Sequence, residues 1–274
     1  IMWLHVEPTS RCNAWCPSCP RNNRGYGLAD INVLDLDPHR LAIVVEKYKI
    51  DNVQMCGNIG DPCAATNIDE QLSVLTGIDK LQIHTNGSLR KPNWWADLVN
   101  KFNNLDVWFA LDGIGDVHSY YRQGTDYNKI IENAKAFINA GGNAVWQFIP
   151  FAHNEHQIMD CMRLSQELGF KRFEFVRNAR YMSDSLHYKT GKPLDIQPWS
   201  QDKRFNNLSY NNDSNPTEVL TDNCMHLNMP SIFLNAKGQV TPCCYMKDTE
   251  LKDVDIANEF NNNVYREVCL RHCG

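Results

Sequence analysis

Three cysteines stand close together near the start of the chain, in the run Cys12-Asn13-Ala14-Trp15-Cys16-Pro17-Ser18-Cys19, a C-x3-C-x2-C spacing. Thiolates are soft ligands that select zinc or iron–sulfur centres. Three of them on one short loop can hold three irons of a [4Fe–4S] cube and leave the fourth iron open to another ligand. Structural zinc is almost always closed by four ligands. No fourth cysteine lies nearby, and His5 precedes the loop. Ligand count therefore favours the cube, with zinc or plain buried thiols as the alternatives. A second group lies at the other end of the chain: Cys224, Cys243, Cys244, Cys269 and Cys273. Cys56, Cys63 and Cys161 fall between the groups and read as buried thiols, the usual environment of a free cysteine.

The bulk composition sets limits on what these thiols serve. Eleven cysteines in 274 residues are too few for a disulfide scaffold, and a chain this long buries a core without staples. A reducing cytoplasm with metal-bound thiolates is the better fit. The balance of 27 Lys and Arg against 32 Asp and Glu, a net charge of −5, lacks the basic excess that phosphate-backbone binding needs, so nucleic acid is disfavoured as a partner. No apolar run reaches the length of a membrane span and no basic-then-apolar leader is present, so the sequence reads as soluble, without a membrane partner.

The elements that position the thiols follow from hydrophobic periodicity. Short β-type runs fall at Trp3 to Val6, Val53 to Met55, Leu81 to Ile83, Val107 to Leu111, Ala144 to Ile149 and Phe173 to Val176. Helical patterns fit between them. One begins after Asp37 as cap, with Pro38 in its first turn and Leu41, Val44, Val45 and Tyr48 on one face. Another carries Ile130, Ala134, Phe137 and Ile138 and stops at Gly141-Gly142; a third carries Ile158, Met162, Ser165 and Leu168 before Gly169. Alternation of this kind predicts an α/β fold with a parallel sheet. Six units are too few for a closed eight-fold barrel, so a partial (β/α)6 TIM-like barrel is expected, with chemistry at the C-terminal strand ends. Trp94-Trp95 reads as packing on the outside of a helix.

The cysteine loop after the first strand of such a chain resembles the radical S-adenosylmethionine (SAM) superfamily, and other segments resemble that family in the same order. Cys56-Gly57-Asn58-Ile59-Gly60-Asp61-Pro62 is similar to its Gly-Gly-Glu-Pro element, Thr85-Asn86-Gly87 ends the third strand, and Leu111-Asp112-Gly113 ends the fourth. His118, Arg122 and the following helix resemble a segment of its peptide-modifying branches. Two positions depart from the pattern: Ser18 replaces an aromatic residue, and Asp61 replaces glutamate. The resemblance implies that Cys12, Cys16 and Cys19 ligate a [4Fe–4S] cluster whose open iron takes SAM, with Ser18 near adenine through its backbone. It further implies Gly60 and Asp61 at the methionine amino group, Asn86 and Asp112 at the ribose or carboxylate, Arg122 at the carboxylate, and Gln147 and Val176 near ribose and adenine.

The spacing Cys224-x13-Gly238-x4-Cys243, followed by Cys269-x3-Cys273, resembles the start of the SPASM and Twitch extensions of that family, with Phe233 to Val240 as a hairpin turning at Lys237-Gly238. Five cysteines suit the shorter Twitch form. The resemblance implies one auxiliary [4Fe–4S] cluster on Cys224, Cys243, Cys269 and Cys273, with Cys244 the alternative to Cys243 and closed zinc the alternative metal. The expected organisation is a radical SAM barrel over 1–181, an irregular linker over 182–223 and a Twitch-like module over 224–274. The implied activity is hydrogen abstraction from a peptide or small polar, sugar-like substrate, with a flavodoxin- or ferredoxin-like electron donor. Epimerisation or carbon–carbon or thioether bond formation is the alternative chemistry, and a non-catalytic zinc-binding interaction protein the alternative class. His84, His153, Glu155, Arg177, Arg180 and Tyr181 are further candidates for substrate contacts at strand ends.

Overall fold

The computed structural model describes residues 1–25, 31–176, 185–200, 231–241 and 243–244. Six parallel strands appear where the periodicity places them: β1 (Trp3–Val6), β2 (Asn52–Met55), β3 (Lys80–Thr85), β4 (Leu105–Ala110), β5 (Asn143–Phe148) and β6 (Arg172–Phe175). The crossovers carry α1 (Pro38–Lys47), α2 (Ile68–Ser73), α3 (Pro92–Lys101), α4 (Asp116–Tyr121), α5 (Tyr127–Asn139) and α6 (Ile158–Glu167). Local chemistry explains their starts. The Asp37 carboxylate caps α1 by accepting from the His39 N–H, and Asp126 caps α5 by accepting from the Lys129 N–H. Both helices stop at residues that release the chain, and Gly141, with φ of 97°, takes the left-handed turn after α5.

Alternation along each strand splits the sheet into two faces. Leu4, Val6, Val53, Met55, Leu81, Ile83, Val107, Phe109, Trp146 and Phe148 are fully buried against the helices. The intervening positions face inward and are polar: His5, Gln54 and Gln82 stand side by side in register, and His84 neighbours Trp108. Such a surface suits the lumen of a partial barrel that takes a ligand, not one filled with aliphatic layers. Trp95 corrects the sequence reading. It is fully buried, with its ring 5.2 Å from Phe109 of β4, so it belongs to the core between helix and sheet.

The C-terminal hairpin joins this sheet directly. Strand β9 (Ser231–Leu234) pairs in parallel with β1, and β10 (Val240–Thr241) returns antiparallel to β9, giving the order β10-β9-β1-β2-β3-β4-β5-β6. A small separate hairpin, β7 (Ser185–Leu186) with β8 (Pro193–Leu194), precedes it. Gly238, with φ of 80°, makes the expected turn, and its carbonyl accepts from the Arg40 side chain at 2.8 Å, which ties the hairpin to α1. The fold is thus the α/β partial barrel the sequence predicts, widened by the two-stranded β9–β10 hairpin at the β1 edge. Among the described residues no helix is long and apolar enough to cross a membrane.

Candidate active site

The cysteine loop leaves β1 at its C-terminal end and folds over the mouth of the barrel. Thr9 and Ser10 anchor its start: the Thr9 hydroxyl donates to Asp35 and the Ser10 hydroxyl to the Asn32 carbonyl. Glycine at position 60 is required by close approach. A Cβ there would lie 1.8 Å from the Thr9 carbonyl oxygen, and one on Gly57 would lie 1.7 Å from the Gly60 oxygen. The turn after β2 and the start of the cysteine loop are therefore pressed backbone to backbone.

Side chains from the end of β3 and the end of α4 converge on the thiols. The Asn86 amide donates to the Asn13 side chain at 2.9 Å and reaches the Cys12 sulfur at 3.9 Å; the Ala14 N–H also donates to that sulfur, at 3.3 Å. The Arg122 guanidinium reaches the Cys16 sulfur at 4.0 Å. Donors aimed at sulfur suit thiolates. Burial alone works the other way, pushing the Cys12 thiol well above its ordinary value and Cys16 up to about 11. A thiol raised in this way becomes a ligand only where a bound cation displaces its proton. Among the described residues no three Cys, His, Asp or Glu side chains form a group that could hold a single metal ion. A cube asks for no such convergence, because each thiolate holds a different iron.

Asp112 is the hub of this end of the sheet. One carboxylate oxygen accepts from Arg122 Nε at 2.6 Å and the other from the Ile149 N–H at 2.7 Å, while its carbonyl accepts from Asn154. Burial would lower the Arg122 pKa, but the Asp112 carboxylate outweighs it and holds the guanidinium charged far above its usual range. His118, fully buried, accepts from the Asp112 N–H through Nδ1, with Nε2 against Thr125. Burial lowers its pKa to about 3, so the ring is neutral. The resemblance implies Asp112 at the ribose or carboxylate of a ligand; in the structure each of its oxygens accepts one hydrogen bond from the chain, and one of them fixes Arg122. Asp61, implied at the methionine amino group, is held in a similar way. Its carboxylate accepts from the Cys63 N–H, the Thr85 hydroxyl and the Asn86 N–H, so it positions Asn86, and the turn from Cys56 to Gly60 is left to face the site.

The other sequence candidates are dispersed. Ser18 is buried beneath the loop, beside the Tyr121 hydroxyl. Gln147 lies in the lumen, where its amide oxygen pairs with His84 Nδ1 at 3.3 Å; His84 Nε2 meets Gln54 at 3.2 Å and the ring stacks on Trp108 at 4.6 Å. Burial lowers His84 to a pKa of about 4, and the neutral ring bridges the two amides. Val176 follows β6 and binds the Phe148 carbonyl through its N–H. His153 packs between Tyr120 and Phe151, and Glu155 accepts from Ser200, so both belong to the rim. Cys63 and Cys161 are buried in the core, and Cys56 is half-buried at the end of β2. Cys243 and Cys244 are buried just past β10, and the Cys244 carbonyl accepts from Asn58 in the turn after β2. Arg177, Arg180, Tyr181, Cys224, Cys269 and Cys273 lie outside the described residues. Glu7 is a residue the sequence reading missed. Its buried carboxylate accepts from the Ile59 N–H at 2.7 Å and so braces the turn that carries Gly60. An acidic residue just past a β-strand of apolar alternation, two positions before the loop, was the available signal.

No protein-family model matches the sequence, and no curated protein matches it in sequence. Solved structures do resemble it in three dimensions. Streptococcus suis SuiB bound to S-adenosylmethionine superposes with a TM-score of 0.70 at 16% identity, over 97% of this chain and 67% of that one. SuiB bound to precursor peptide SuiA gives 0.65 at 15% identity, over 96% and 65%. Native anSMEcpe with bound AdoMet gives 0.63 at 14% identity, over 98% and 89%. The chain has the radical SAM fold. Cys12, Cys16, Asn86 and Arg122 meet at the mouth of its partial barrel. Against SuiB the radical SAM fold of this chain accounts for about two thirds of the partner's length or less.

Proposed function

We propose that the protein is a radical SAM enzyme that reductively cleaves S-adenosylmethionine and uses the 5′-deoxyadenosyl radical to abstract hydrogen from a peptide substrate. The observation that carries this reading is the set of donors trained on the thiols: Asn86 on Cys12 and Arg122 on Cys16, each fixed by a buried carboxylate. When bound, a [4Fe–4S] cluster on Cys12, Cys16 and Cys19 supplies the electron for SAM cleavage and an open iron for the methionine end of SAM. The chain's own residues do the rest. Arg122, kept charged by Asp112, stabilises negative charge at Cys16 and offers its remaining N–H groups to a ligand carboxylate. Asn86 locks the cysteine loop to the end of β3. The bracing of the Gly57 to Gly60 turn by Glu7 holds backbone carbonyls at the mouth for an ammonium group. Gln54, His84, Gln147 and Trp108 form a polar lumen below, where a substrate C–H bond would be held close to the reacting carbon.

Peptide is preferred to sugar as the substrate class because the similar structures include SuiB with precursor peptide SuiA and anSMEcpe with the Cp18Cys peptide. The buried pair Cys243 and Cys244, carried on a hairpin that joins the barrel sheet, supports a Twitch-type auxiliary [4Fe–4S] cluster on Cys224, Cys243, Cys269 and Cys273, and with it an oxidative outcome. The test is anaerobic reconstitution with iron and sulfide, followed by dithionite and SAM. The expected result is iron–sulfur absorbance and 5′-deoxyadenosine, both of which disappear as Cys12, Cys16 or Cys19 is changed to Ala. Tight zinc binding without deoxyadenosine would instead identify a zinc-binding interaction protein.

A further inference from the structure

Two basic hollows occur among the described residues, and they differ in charge and place. One, at the N-terminal ends of the strands, holds Lys80, Lys171 and Arg172, but Asp106 lies 3.3 Å from Lys80 and 3.2 Å from Arg172. The other is a shallow basin on the outer side of the cysteine loop. Arg11, Arg21 and Arg90 rim it, and Cys12 lies in its wall. Asp35 offsets Arg11 at 3.2 Å. Arg21 donates to the Ser10 carbonyl, and Arg90 donates to the Cys63 and Ala65 carbonyls and lies over the Trp94 ring at 5.6 Å. Among the described residues neither guanidinium is paired with a carboxylate, in a chain of net charge −5. Arg21 is only 9% exposed and its Nε is buried with no partner, so one donor remains for an incoming acceptor. The basin also contains Val33, which is 52% exposed and one of four large apolar side chains left open among the described residues.

Exposed valine among arginines is the composition of a protein-docking face more than of a small-anion pocket, since arginine is enriched and lysine depleted at interfaces. The position beside Cys12 gives that face a use. We propose that this arginine-rimmed basin docks the acidic flavodoxin-type carrier that reduces the enzyme. The inference rests on the radical SAM reading. One electron leaves the reduced flavin of the carrier, which is oxidised by one electron, and enters the [4Fe–4S] cluster, which is reduced from its 2+ to its 1+ state; no bond is made or broken. The basin shares none of its lining with Gln54, His84, Gln147 and Trp108, the lumen residues assigned above to substrate.

The experiment measures binding of an acidic flavodoxin to the full chain, with and without its clusters, by calorimetry at several salt concentrations, and deoxyadenosine formation with reduced flavodoxin or with dithionite. Val33→Asp and Arg90→Gln are the variants. Val33→Asp changes an exposed side chain and Arg90→Gln keeps a hydrogen-bond donor. Binding is expected to weaken with salt, and each variant to weaken it by about fivefold or more, as loss of a complementary charge or anchor does. Flavodoxin-driven turnover should fall in parallel while dithionite-driven turnover stays at the wild-type rate. Unchanged flavodoxin affinity in Val33→Asp would overturn the proposal, as would variants that lose inorganic phosphate binding but keep the carrier. Absence of deoxyadenosine with dithionite in the wild type would contradict the enzyme reading instead, and the binding measurement on the cluster-free chain would still judge the surface.

Discussion

At the scale of single residues, the site is held by buried charges whose partners lie within the chain. Removing Asp112 leaves the Arg122 guanidinium buried without its counter-charge, so Asp112→Ala should cost about 3–5 kcal/mol of stability in denaturant unfolding, as breaking a buried pair does. A loss below about 1 kcal/mol, the value of an exposed pair, would show that the guanidinium had found water or another partner. His84 makes a prediction in pH. Its folded pKa, lowered to about 4 by burial, is below the ordinary 6.5. Between these values the unfolded chain binds more protons than the native one, so stability falls as pH falls, by at most ~1.4 kcal/mol per pH unit from this group, and is independent of His84 above that window. Urea midpoints measured from pH 7 down to pH 4.5 should show a flatter slope in His84→Gln than in the wild type. Equal slopes would mean that the ring is not buried as a neutral base. The thiols, Asn86 and Arg122 were legible as residue types in sequence. The destinations of Asp61 and Asp112 were not, because an aspartate in a turn beyond a strand, before Pro62 or Gly113, reads the same whether its carboxylate faces a ligand or accepts from the next strand end.

The elements were more legible than the contacts between them. Each of the six parallel strands, the Asp37 cap of α1 and the apolar face of α5 follow from patterns that lie within a dozen residues of one another, whereas the Asp126 cap of α5 emerged only in the structure. Burial of Trp95 and the bracing of the Cys56–Asp61 turn by Glu7 depend on neighbours far off in sequence, and no local pattern reports them. The turn after β2 is where an element-scale test is sharpest. Gly60→Ala places a methyl group against the Thr9 carbonyl oxygen, with backbone on both sides and no flexible side chain to yield. The cysteine loop must then move. The variant should lose about 2–4 kcal/mol in thermal or urea unfolding, the range of overpacked and strained sites, and should bind less iron on reconstitution. Normal iron loading would show that the loop tolerates the displacement.

For the molecule as a whole, the sheet order explains how a terminal module can influence a distant mouth. Strand β9 lies directly against β1, and the Glu7 N–H donates to the Leu234 carbonyl at 2.8 Å, so the hairpin and the cysteine loop spring from neighbouring strand ends. Sequence could suggest the hairpin but not its partner. If the auxiliary cluster exists, Cys269→Ala should remove about half of the iron while dithionite-driven SAM cleavage persists, since each of two [4Fe–4S] clusters holds an equal share. Iron analysis beside deoxyadenosine assay checks this; full iron content would move the second site elsewhere. The pairing of β1 with β9 also has a consequence in time. Trp3 leaves the ribosome long before Ser231, yet they are register partners, so the strand that launches the cysteine loop gains its second neighbour only once β9 has been made. Cluster loading in the cell is therefore expected to follow synthesis of β9, and a nascent chain stalled before residue 231 should remain unable to retain iron.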